Sequence, residues 1–461
     1  VAAVHQSNAD RLQMIPGQPA RLPGGKYTVM VTYLGPAGYL VRAAFPEVDL
    51  SRTTALTVDA RQAHRVSLQT DGPSFQVGVW TSSMWMTAAN GPDRAGVTTF
   101  GDPRTSEMYV YSPPDMTSPR FTYFDAYRLE NEDRRLELAF PVKGRIPATT
   151  AYSVRTADLA AVTTRYYGHH PEAPPIVGAT NTGFDVPVGT SFFTPVTPSS
   201  QRVEYFTPGT WTLSVAAARD SSRRQNMTLA AGGSYQVEWN RAVLSPGFTG
   251  TTESELGEHH PWALRRSSLV SVSVPLYTDA AGHTAAPDIE LGTATGMTSL
   301  YSGDRLIGTQ HLPGRGIFVV GQNDSQFRLV AEATRDQPWW PLSTKISSEW
   351  TFEAGFRQGP FDTPLPLLTV RAEPPVDLAN RSPAGPVDIP LTVLRQDGPA
   401  TVASLVAEYS TDDGTTWQQA TITAGKAAVT NPAGGFVSLR TKATDTDGNT
   451  VATTVIRAYA V

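Results

Sequence analysis

The sequence predicts an all-β chain, a tandem array of β-sandwich domains (immunoglobulin-like or prealbumin-like) with little helix. Three observations point there. The dominant hydrophobic period is two, with β-branched and aromatic residues on one face of each run. Gly (38) and Pro (37) together make up about one residue in six of 461, too much punctuation for helices. No amphipathic stretch exceeds about ten residues, whereas ordinary helices run longer.

The elements follow in order. Residues 26–34 place Tyr27, Val29, Val31 and Tyr33 on one face, after a turn at Leu22-Pro23-Gly24-Gly25. Residues 54–60 and 65–70 continue the alternation. Residues 156–162 could form one helical turn with Thr156 as its N-cap. Residues 269–277 set Val270, Val272 and Val274 against Ser271 and Ser273. Residues 436–443 set Val437, Leu439 and Thr441 against Ser438 and Arg440. Turn signals recur every 8–15 residues or so, a spacing typical of sandwiches.

At roughly 100–200 residues per domain, the length predicts three or four units. Pro/Gly clusters divide the chain into a small β-sandwich at 1–72, a larger aromatic-rich β domain at 73–245, a β-sandwich at 246–366 and an immunoglobulin-like domain at 367–461. No internal repeat is evident.

Composition excludes several chemistries. Lys plus Arg is 37 and Asp plus Glu 42, a net charge of −5, so no basic excess exists for nucleic acid. With no cysteine there is no disulfide framework, thiolate metal site or cysteine nucleophile. No run of 18 apolar residues occurs, so no membrane span is expected. The chain starts at Val1 without a leader, as expected of a mature secreted protein or a fragment of a longer one. Only five of the 37 basic residues are Lys, the skew of a GC-rich genome.

The motifs are mostly structural. Ser410-Thr411-Asp412-Asp413-Gly414-Thr415-Thr416-Trp417 fits S-x-D-x-G-x-T-W, the Asp-box hairpin. Asp412 would accept turn amides, Gly414 would supply positive φ, and Trp417 would pack beneath the hairpin. Asp445-Thr446-Asp447-Gly448-Asn449 superficially matches a calcium loop, but Gly stands at position 4 and Ile456 at position 12. A tight turn at Asp447-Gly448 is the better reading, with calcium at Asp445 and Asp447 as the alternative.

Other candidates are weaker. His169-His170 and His259-His260 precede prolines and read as exposed loops rather than zinc sites. His5 is expected to fray at the terminus. Trp80 with Trp85, and Trp339-Trp340, could form a carbohydrate platform but suit core packing better. Glu130, Glu132 and Asp133 are the carboxylates a glycosidase would use, in a run that otherwise reads as a solvated edge. The sequons at Asn226, Asn323 and Asn380 are near chance in number. There is no Gly-x-Ser-x-Gly elbow, phosphate loop, Gly-x-Gly-x-x-Gly or His-Glu-x-x-His.

Several segments, in order, carry a family resemblance. They are Gly24-Gly25-Lys26-Tyr27-Thr28-Val29 with Thr57-Val58-Asp59-Ala60-Arg61-Gln62-Ala63; Phe140-Pro141-Val142-Lys143-Gly144-Arg145-Ile146-Pro147 with Tyr152-Ser153-Val154-Arg155 and Asp158-Leu159-Ala160; Arg202-Val203-Glu204-Tyr205 with residues 235–243; residues 300–308 and 343–352; and the closing run 437–459. Together they resemble the region that follows the catalytic domain in large secreted subtilisin-like serine peptidases of actinobacteria (the subtilase family). The peptidase blocks Asp-Thr-Gly, His-Gly-Thr-His and Gly-Thr-Ser-Met-Ala do not occur here, so no catalytic residue carries over.

The resemblance implies a non-catalytic, extracellular accessory region without cofactor, stabilising a subtilisin-like catalytic domain or docking protein substrates. The alternatives are a free-standing secreted binding module for carbohydrate or a cell-surface protein, and a glycosidase.

Overall fold

The computed structural model describes residues 1–461 except 16, 36–37, 53, 73–74, 76, 103–106, 132–133, 169–173, 185–193, 218–222, 249–251, 254–258 and 285–293. The chain is all-β. Among the described residues the helical content is two single 3-10 turns, Ala60–Gln62 and Thr156–Asp158. The helical turn expected at 156–162 shrinks to the second of these. Its cap is Arg155 rather than Thr156, and Ala160–Tyr166 is a strand whose side chains alternate between buried and half-buried.

Residues 1–245 form three stacked β layers. The first sheet orders Arg11–Gln13, Ala2–His5, Lys26–Leu34, Leu40–Asp49, Met108–Tyr111 and His64–Arg65. The second orders Ser234–Trp239, Ala160–Tyr166, Ser200–Phe206, Arg134–Gly144, Ser118–Glu130, Val77–Thr87 and Arg94–Gly101. The third contains Pro175–Asn181, Gly209–Ala217 and Arg223–Leu229.

Successive residues of a strand face opposite sides. Thus Tyr123, Tyr127 and Leu129 of the middle sheet pack with Val4, Met30 and Ala44 of the first, while Phe124 and Ala126 pack with Val177, Trp211 and Leu213 of the third. Trp80 stacks on Tyr127 in the first interface, and Trp85 joins the second from the opposite face of the same strand. Five residues apart on a strand, the pair cannot form one platform. Trp340 is likewise buried, under the Arg335 guanidinium.

Residues 242–460 share one hydrophobic core. An eight-stranded sheet joins its halves where Lys345–Glu353 pairs with Thr450–Ala460. The expected division at 366/367 therefore falls inside a shared sheet. The one at 72/73 is crossed too, because Met108–Tyr111 pairs in parallel with Leu40–Asp49 and Ser67–Thr70 with Ala151–Val154. Pro/Gly clusters mark turns, and a sheet closes across them by long-range pairing. No helix among the described residues is long and apolar enough to cross a membrane.

Candidate functional site

The densest charged constellation lies between the second and third layers, where strand register builds it. Arg128 opposes Glu137, Glu130 opposes Arg135, and Arg135 opposes Glu204 on the next strand. The contacts are Arg128 Nε to Glu137 Oε1 at 2.5 Å, Arg135 Nη2 to Glu130 Oε1 at 3.0 Å and Arg135 Nη1 to Glu204 Oε1 at 3.1 Å. Thr164 and Tyr166 donate to Glu204 at 2.7 and 2.9 Å. Burial alone would raise the Glu130 pKa, but Arg135 and Arg202 outweigh it and hold the carboxyl below its ordinary range. Burial raises Glu137 in spite of Arg128.

Glu130 is therefore a member of a buried, charge-balanced ladder and not of a solvated edge. Glu132 and Asp133 lie outside the described residues. The Glu130, Glu137 and Glu204 carboxylates accept from arginines and hydroxyls of the same ladder.

Further clusters carry chemistry-bearing residues. Asp125 is buried in the first interface and accepts from Tyr123 (2.7 Å), Tyr152 (2.9 Å) and Trp80 (3.4 Å). Burial raises its pKa against those donors. Arg42 faces it from the first sheet and donates to the Ser82 carbonyl; burial lowers the guanidinium to about 10.

Asp279 and His283 form a buried pair (3.1 Å) where the N-terminal layers meet the C-terminal core. Arg223 donates there to the Tyr277 and His283 carbonyls and to Asn240, and Trp239 lies 4.3 Å from the imidazole. Burial pushes the Asp279 carboxyl up, but His283 and Arg223 prevail and hold it below its ordinary range. Asn380 ties the same junction to the last segment through Ala242 N–H and the Asn240 carbonyl.

His5 does not fray. It sits in Ala2–His5, paired with Tyr27. Its Nδ1 is 2.6 Å from Ser7 Oγ and accepts the Ser7 N–H at 3.3 Å. This is a turn-internal bond, and no carboxylate contacts the other ring nitrogen among the described residues.

Residues 410–417, the Asp-box segment, form a turn. Asp412 accepts from Thr416 N–H (2.9 Å), Thr416 Oγ1 (2.6 Å) and Ser410 Oγ (2.7 Å), which hold its carboxyl down at about 2. Gly414 takes φ +86°. Trp417 differs from the expected buried plug. It is half-buried, donates to the Gly414 carbonyl at 3.0 Å and lies beneath the Arg440 guanidinium.

The Asp445 loop is closed by an arginine where calcium would need open oxygens. Asp445 accepts from the Asp447 and Asn449 amides, and Arg395 Nη1 bridges Asp445 (3.2 Å) and Asp447 (2.6 Å). Gly448 follows with φ +87°, as the turn requires. No cluster of three His, Cys, Asp or Glu side chains able to hold a metal occurs among the described residues. His169-His170 lies outside them. His259-His260 pairs with Thr252–Glu253 as a two-residue strand rather than a loop.

Sequence reading also missed a concavity. The outer face of the first sheet carries Val29, Val31, Val41 and Phe45, roofed in part by the segments containing Leu22, Leu56 and Val58. Between floor and roof lies an open, mainly apolar cleft of about 1140 Å³. Residues 26–34 turn their apolar face, with Val29, Val31 and Tyr33, toward this cleft, while Met30 of the other face packs in the first interface. No family model and no curated protein matches the chain.

Proposed function

We propose that the chain is a non-catalytic, extracellular accessory β-region, like the part that follows the catalytic domain in secreted subtilisin-like serine endopeptidases. It stabilises that domain or docks protein substrates. One observation carries the non-catalytic half: the buried titratable groups (Glu130, Glu137, Glu204, Asp125, Asp279 with His283) are engaged in structural bonds, away from the large cleft. The cleft's wall supplies no acid–base pair among the described residues. Kinship with peptidases rests on the ordered sequence segments.

The test is the reading frame upstream of the Val1 codon. A Gly-Thr-Ser-Met-Ala block in frame is the expected result. A signal peptide directly before Val1, with no such block, would replace this reading by a free-standing secreted binding module. The apolar cleft gives that second reading its support, for an apolar ligand rather than a carbohydrate, since Trp80 and Trp85 face opposite ways.

A further inference from the structure

We propose that the cleft of the first sheet binds a single-chain anionic amphiphile, of which a long-chain carboxylate is the simplest member. The proposal rests on reading the cleft as a binding site and is independent of kinship with peptidases.

Size and polarity come first. About 1140 Å³ exceeds slightly the roughly 300–1000 Å³ of typical ligand pockets. The floor of Val29, Val31, Val41 and Phe45 offers dispersion and desolvation but few polar contacts. Charge comes second. Among the described residues, the charged side chains of the wall are Arg21 and Arg52, both exposed, with no carboxylate beside them in the wall. Arg52 lies near Asp49, whose carboxyl it helps to depress, whereas Arg21 makes no ion pair among the described residues. A cationic lip on an apolar bore, in a chain of net charge −5, complements an apolar tail with an anionic head.

The backbone disfavours the obvious competitor, a polypeptide. Lys26–Leu34 and Leu40–Asp49 are inner strands, paired with each other and with Ala2–His5 and Met108–Tyr111. Along Tyr27–Met30 and Leu40–Ala43 the floor is flanked on both sides, so the N–H and C=O groups of an incoming polypeptide would be buried unpaired over that stretch. An acyl chain carries no such groups.

The full-length chain is titrated with cis-parinarate, a fluorescent C18 carboxylate, below its micelle concentration, and displaced with palmitate or the uncharged hexadecanol. The expected result is one saturable site per chain, displaced at least tenfold more readily by palmitate than by hexadecanol. Arg21→Glu with Arg52→Glu weakens binding at least tenfold without moving the melting temperature, and Val31→Trp abolishes it. Should Val31→Trp unfold the first sheet, the charge-reversed pair decides alone, because both arginines are exposed. Absence of a saturable site, affinity unmoved by the charge reversal, or equal displacement by palmitate and hexadecanol would each overturn the proposal. So would displacement by an acidic apolar octapeptide as effective as palmitate, which would assign the cleft to polypeptide. None of these outcomes bears on the upstream reading frame, so the two readings fail separately.

Discussion

Arg135→Met should be the most damaging single substitution in the second unit. The Arg135 side chain is 2% exposed and bridges Glu130 at 3.0 Å and Glu204 at 3.1 Å. Removing it leaves Glu204, 5% exposed, with Arg202 at 3.9 Å as its nearest remaining ion-pair partner. Breaking a buried pair from one side costs about 3–5 kcal/mol, because the remaining charge stays desolvated. At a tenfold change per 1.4 kcal/mol, that is roughly a hundredfold to a few thousandfold in the opening equilibrium. Hydrogen exchange followed by mass spectrometry reads it locally and needs no two-state assumption for so large a chain. Amides of Arg134–Gly144 and Ser200–Phe206 should exchange faster by that factor. Adding Glu204→Gln removes the orphaned charge, so the double variant should recover at least about 1 kcal/mol. An acceleration below about fivefold for Arg135→Met, or a double variant worse than the single, would refute a desolvated ladder.

Other outcomes follow from the same contacts. Because the Asp279 carboxyl is held below its ordinary value, near 4, its contribution is full above that pH and is lost as pH falls through the lower folded value. Asp279→Asn should be about 3 kcal/mol less stable than the parent chain at pH 7, and that gap should narrow on acidification, by urea unfolding of both chains at pH 7 and pH 3. Trp417→Ala should cost about 1–2 kcal/mol, the sum of one hydrogen bond and a half-exposed cation–π contact, and a loss above about 4 kcal/mol in the same assay would show a buried indole. Gly296→Ala should cost about 2 kcal/mol or more, since a β-carbon there would stand 1.9 Å from the Glu332 carbonyl oxygen; an unchanged melting curve would contradict the pairing of Gly296 with Ala333.

What the sequence made legible was local. Alternation read over 26–34, 269–277 and 436–443 falls on the strands Lys26–Leu34, Leu269–Ser273 and Phe436–Asp445, and the Asp412 and Asp447 turns are each built from residues within a few positions. What it hid was long-range pairing. Glu130 looked like a solvated charge because its partners Arg135 and Arg202 meet it only through strand register and a parallel neighbour. The shared core of residues 242–460 depends on Lys345–Glu353 meeting a strand about a hundred residues later, and no punctuation residue announces that. Trp417 fits its motif yet lies under Arg440, which comes from another strand. His5 was misjudged by position alone, since pairing with Tyr27 fixes a terminal strand.

The central claim, that this chain supplies binding and structure rather than turnover, meets its most direct test in a fluorophosphonate serine-hydrolase probe applied to the purified chain. Ser7, with its hydroxyl 2.6 Å from His5 Nδ1, has the closest serine–histidine contact seen among the described residues. A working nucleophile needs its base oriented by a third group, normally a carboxylate, and none is in place there. The expected result is no labelling above that of the heat-denatured chain. Stoichiometric labelling of one serine, at Ser7 or elsewhere, that disappears on denaturation would contradict it.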